Sequence, residues 1–223
     1  MKDNTLLRYR PGFGLAILLA LIPCQTLSAN RVIGIVAIPS LFGHIDPLGP
    51  PGQTPPKSPS AIPLRPRPDP DSAIATEATH PHQLQSAEFG YEEFGAVVYH
   101  REGPWLQIAL QHPDTPALYW ITVPQGGNYH PLEELLQHGL SYLSEQWDGL
   151  LYPAPGGAAA TPGMAAGSIS VVGSTRHEGE LWLNIELLTP GPCLGPSEVI
   201  ARGWVPAHNA QGEPNAWFYP RGC

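Results

Sequence analysis

One stretch occurs twice in this chain and limits its fold more than any other feature. Near the middle it reads Gly103-Pro104-Trp105-Leu106-Gln107-Ile108-Ala109-Leu110, and near the end Gly179-Glu180-Leu181-Trp182-Leu183-Asn184-Ile185-Glu186-Leu187. In both copies a glycine turn precedes Trp-Leu-x-Ile-x-Leu. Apolar and polar residues alternate with the period of a strand buried on one face. Leu106, Ile108 and Leu110 are expected to face a core, as are Leu181, Leu183, Ile185 and Leu187. Trp105 falls on the opposite side of its strand, with Gln107 and Ala109.

The matches continue outward. Leu64-Arg65-Pro66-Arg67-Pro68 lies upstream of the first copy, and Leu151-Tyr152-Pro153-Ala154-Pro155 upstream of the second. Downstream come Tyr119-Trp120-Ile121-Thr122-Val123-Pro124 and Gly203-Trp204-Val205-Pro206. Three matches in one order predict an internal duplication. The 24 Gly and 28 Pro among 223 residues suit short strands with many turns and disfavour long helices. A formal net charge of −8 argues against general attraction to nucleic acid.

Residues 1–29 read as a secretory signal peptide. Lys2, Arg8 and Arg10 precede a short apolar run, Gly14 to Ile22, and Leu27-Ser28-Ala29 forms a small-residue cleavage site. Export places the protein in the periplasm or outside the cell, with membrane association only if the leader is retained. Cleavage would leave 8 Lys/Arg, 18 Asp/Glu and two cysteines, Cys193 and Cys223. An oxidising compartment favours a disulfide between them, the other reading being two free thiols.

The first unit covers residues 30–130. It opens with a buried strand over 32–38 and carries a proline-rich insertion at 46–61, where missing donors and fixed φ oppose regular structure. Its next strand reaches Tyr99, with a turn over 100–103. A connector helix is predicted over 131–146, with Pro131 in the first turn and Leu132, Leu135, Leu136, Leu140 and Leu143 as its apolar stripe. Glu133 and Glu134 suit that first turn electrostatically. The second unit covers 147–223, with strands at 169–172, 181–188 and 198–205, a turn at 177–180, and an aromatic tail from Trp217 that should dock rather than hang free.

The order Leu-x-Pro, strand, Gly-Trp strand, Trp-Val-Pro resembles the bacterial SH3-like barrel family. The resemblance implies a mainly-β fold of two tandem small SH3-like barrels joined by a short helix. It also implies a role in binding cell-wall peptide or in protein interaction. Tyr119-Trp120 replaces Gly-Trp in the first unit, and neither copy has the Asn-x-Arg form of the first segment.

No Gly-x-Ser-x-Gly, His-Glu-x-x-His or phosphate-binding glycine loop occurs. His80, His82 and His177 match no closed set of metal ligands, and no cofactor or metal is expected. A non-enzymatic binding module follows, for peptide, glycan or protein. Tyr99, Trp105, Trp120, Trp182, Trp204 and Trp217 are the candidate contacts, because aromatic rings offer large amphipathic surface with few rotatable bonds. A groove between the units, lined by such rings and by acidic residues, would prefer neutral or basic ligands. The alternatives are an accessory or structural subunit of a periplasmic assembly and a wall hydrolase with a non-local active site.

Overall fold

In the first half the repeated stretch is the second strand of a hairpin, and the second half builds the same hairpin again. The computed structural model describes residues 31–43, 61–111, 117–158, 161–162, 167–189 and 197–221. The first half contains β1 (Gly34–Ala37), α1 (Pro39–Phe42), β2 (Ile62–Leu64), β3 (Thr76–Ala78), a 3-10 turn at Pro81–Gln83, β4 (Ser86–Gly90), β5 (Glu93–Glu102), β6 (Trp105–Leu110), β7 (Ala117–Thr122) and β8 (Tyr129–Pro131). Then come α2 (Leu132–His138), β9 (Ser141–Leu143), β10 (Leu150–Leu151), β11 (Thr161–Pro162), β12 (Ser168–His177), β13 (Glu180–Leu188), β14 (Val199–Pro206) and β15 (Ala216–Phe218). The leader, Cys193, Cys223 and all of the proline-rich insertion except Ala61 lie outside the described residues. Among the described residues no helix is long and apolar enough to cross a membrane.

The protein is mainly β, with two similar sheets joined by α2. One has the order β7-β6-β5-β1-β8, with β4 also on β5, and the other β14-β13-β12-β9-β15. Neighbouring strands in both are antiparallel. The likeness reaches single residues. Leu106 pairs with Ile121 and Gln107 with Trp120; in the second sheet Leu183 pairs with Val205 and Asn184 with Trp204. Arg65 and Trp120 exchange both backbone hydrogen bonds, and so do Tyr152 and Trp204. The Leu-x-Pro segments thus latch onto the Trp strands in both halves.

Even an irregularity repeats. The β5–β6 register shifts between Val98 and His100, and the β12–β13 register shifts between Val171 and Gly173. One extra residue there, Tyr99 or Val172, bends the strand and strengthens its twist. This corrects the shorter strands expected from alternation. β5 continues through Glu102 and β12 through His177, so His100, Arg101 and Glu102 are strand residues and the turns hold two residues each. Gly103 has φ 55° before Pro104, whereas Glu178 and Gly179 have φ 51° and 83°. Two positive values in a two-residue loop are what a type I′ hairpin needs.

The connector helix is shorter than the expected 131–146. It ends at His138; the Gly139 N–H bonds the Leu135 carbonyl, and the Ser141 hydroxyl donates to the Leu136 carbonyl at 2.9 Å. The chain then turns extended, and Ser141–Leu143 becomes the inner strand of the second sheet. That sheet therefore begins before residue 147, the expected boundary. The aromatic tail does dock: Ala216 to Phe218 pairs with β9.

Two apolar clusters result. One gathers Val36, Ile38, Leu64, Val98, Leu106 and Ile108 within the first half. The other gathers Leu143, Leu181, Leu183, Ile185, Leu187 and Phe218, together with Leu132 and Leu136 of α2 and Ile35 of β1. Gly34 and Gly95 permit this packing: a Cβ on Gly34 would strike the His130 carbonyl and the Tyr129 ring, and one on Gly95 would strike Ile35 and the Val36 carbonyl. Leu106 and Leu183 hold equivalent sites and are 1% and 0% exposed. Leu106→Ala and Leu183→Ala should each cost about 2–5 kcal/mol in denaturant unfolding, whereas Val172→Ala, at an exposed bulge, should stay within about 0.5 kcal/mol of the parent.

Candidate functional site

The two halves meet around α2, and beside it opens a cleft of about 490 Å³. Three of the chain's nine arginines line it: Arg31, Arg101 and Arg176. Arg31 comes from the segment leading into β1. Arg101 and Arg176 lie beyond the bulges on β5 and β12, in the arms that run to the two hairpin turns. Each half therefore delivers one arginine, and the segment before the first sheet adds a third. Arg101 donates to the Gly103 carbonyl at 3.3 Å and lies 5.2 Å from the centre of the Tyr129 ring. Arg31 stands 3.3 Å from Glu180 across the junction. Arg176 has no ion-pair partner among the described residues. Glu133 is the single carboxylate residue in the lining.

Two buried groups tie the cleft to the fold. The Tyr129 hydroxyl donates to the Ile33 carbonyl at 2.8 Å. Burial pushes its pKa up to about 12, with Arg101 and Arg176 pulling the other way, so it stays a phenol at ordinary pH. His208, 5% exposed, donates Nε2–H to the Val32 carbonyl at 2.7 Å and so joins the second half to the first. Its pKa is lowered, mainly by burial and further by Arg31 and Arg176, against an opposing contribution from the hydrogen bond to Val32. The described lining contains no Ser, Thr, Cys or Lys side chain. Its chemistry is that of guanidinium forks offered to oxygen acceptors.

The six aromatic candidates lie elsewhere, and none lines this cleft. Trp120 and Trp182 are each 8% exposed. Their edges meet His100 at 5.6 Å and Tyr152 at 5.2 Å respectively. Trp105, Trp204 and Tyr99 are half-buried, with Tyr99 on the bulge and Trp204 in the latch. Trp217 stacks on Phe218 at 4.9 Å. The cleft beside α2 is thus lined by three arginines and one glutamate rather than by those rings and acids. Its arginines come from three separated segments, and no local spacing could announce them.

Among the described residues no group of three or more His, Cys, Asp or Glu is placed to hold a metal. His80 and His82 stack on each other at 5.4 Å beside the 3-10 turn. Glu133 and Glu134 occupy the first turn of α2 as expected.

His208 makes the junction pH-sensitive. Its folded-state pKa lies below the ordinary 6.5, so the unfolded chain takes up the proton first as pH falls. The stability present above about pH 6.5 is therefore lost as pH drops through the folded-state value. Melting temperature should fall in that range. His208→Gln, which keeps an N–H for the Val32 carbonyl, should flatten the fall, and identical pH profiles for the two proteins would contradict the assignment.

Set against known proteins, the chain matches no family model, no curated protein and no solved structure.

Proposed function

We propose that this protein is an exported, non-enzymatic binding module of two tandem SH3-like units that holds its ligand by an anionic group in the cleft between them. The convergence of Arg31, Arg101 and Arg176 carries this reading. A guanidinium presents paired donors that fit a carboxylate or phosphate, and such charge-assisted bonds are about twice as strong as neutral ones. In a chain of net charge −8, one arginine-rich cleft also distinguishes an anion from the rest of the surface. The repeated strand order, latch and bulge support the SH3-like reading of each unit. The leader at 1–29 supports export. An acidic peptide, such as the carboxylate end of a cell-wall peptide, fits better than an uncharged glycan.

Calorimetric titration with N-acetylated alanine peptides tests this. The free acid should bind and its amide should not. Arg101→Gln and Arg176→Gln should each weaken binding roughly three- to tenfold, in keeping with exposed charged hydrogen bonds. Arg202→Gln should change nothing, because Arg202 pairs with Glu186 on the outer part of the second sheet. Equal binding of acid and amide, or no binding of the acid, would overturn the reading.

A further inference from the structure

A second depression, of about 420 Å³, adjoins the arginine cleft and shares Arg31 and His208 with it. We propose that it is a subsite for a protonated amine, so that the ligand is a zwitterion carrying a carboxylate and an ammonium. This rests on the reading of the arginine cleft as the anion site.

The depression is rich in acceptors: Asp148, Glu180 and Asn215 line it, beside Trp182 and Tyr152. Asn215 is 2% exposed. Its amide nitrogen donates to the Pro206 carbonyl at 3.0 Å, which fixes the amide orientation and leaves Oδ1 turned away from that bond. Oδ1 is buried and has no hydrogen-bond donor. Oε1 of Glu180 is in the same condition, although Arg31 stands 3.3 Å away, within ion-pair range but outside hydrogen-bond geometry. Among the described residues three buried side-chain oxygens lack donors, and two of them belong to residues that line this one depression. A buried acceptor without a donor has lost its water and gained nothing in return. An ammonium brings three donors and no acceptor, which suits such a wall. Trp182 and Tyr152, edge to face, supply an apolar side.

The Arg31–Glu180 pair stands where the two hollows meet. Its cation borders the arginine cleft and its anion borders the depression. A molecule with a carboxylate at one end and an ammonium at the other matches that order of charges, whereas a dianion would meet Glu180 and a dication would meet Arg101 and Arg176.

Alanine peptides of two to four residues test the assignment by calorimetry in three forms: both ends free, amino end acetylated, carboxyl end amidated. The free form should bind about tenfold more tightly than the acetylated form, as for one charged hydrogen-bonded group. Glu180→Gln should erase most of the advantage of the free over the acetylated peptide, the two being compared on the same variant. Should Glu180→Gln fail to fold, Asp148→Asn serves instead, since an amide oxygen still accepts the Leu150 N–H bonded by Asp148 at 2.9 Å. Equal affinity of free and acetylated peptides, or an advantage untouched by either variant, would overturn the amine subsite and leave the anion cleft standing. Amidated peptides binding as well as free ones would overturn both.

Discussion

One short strand feeds two cores, and the rest of the architecture depends on it. In β1, Val36 points into the first apolar cluster and Ile35 into the second, where it meets Leu132 and Leu136 of α2. Both residues are 0% exposed. A strand buried on both faces needs an unbroken apolar run, and Val32 to Ile38 supplies one. It also needs close neighbours, which Gly34 and Gly95 allow. The two sheets are consequently packed on each other through α2 rather than strung on a linker. The hydrogen bond from His208 to the Val32 carbonyl and the pairing of Arg221 with Glu88 at 2.8 Å add polar ties across the same junction.

Two similar sheets supply the scaffold, and the differences between them supply the site. The halves share strand order, latch and bulge, yet their hairpins differ in length. β12 and β13 extend two pairs beyond the equivalents of Glu102 and Trp105, through Arg176 opposite Leu181 and His177 opposite Glu180. Both Arg176 and Glu180, central to the two adjoining hollows, stand in that extension. The first hairpin ends at Glu102 opposite Trp105 and offers Arg101 instead. Charges that face each other across the junction thus come from places where the two sheets differ.

The core was legible in the sequence because it is local. Leu106, Ile108, Leu183, Ile185 and Leu187 alternate, and alternation survives divergence of the intervening polar residues. Two features hid from that pattern. The bulges at Tyr99 and Val172 put one extra residue into the period, so each strand read as ending there. The matching triplets Tyr129-His130-Pro131 in β8 and Phe218-Tyr219-Pro220 at the end of β15 are three residues long, and their equivalence appears only when each is seen against its inner strand, β1 or β9. The helix was read too long because Leu140 and Leu143 keep helical spacing although Gly139 and Ser141 end the helix. Trp120 and Trp204 were legible as a pair, but their backbone role in the latch was not. The arginine cleft needs three segments folded together, and overall acidity masked a local excess of positive charge.

The central claim is that the junction between two equivalent sheets, and not their aromatic strands, is where a ligand is recognised. Amide chemical-shift mapping during titration with an alanine peptide free at both ends tests it most directly. The account predicts shifts concentrated at residues 31–33, 100–101, 129, 176, 180 and 208. Shifts centred instead on Trp105, Trp120 and Trp204, with the junction unmoved, would contradict it.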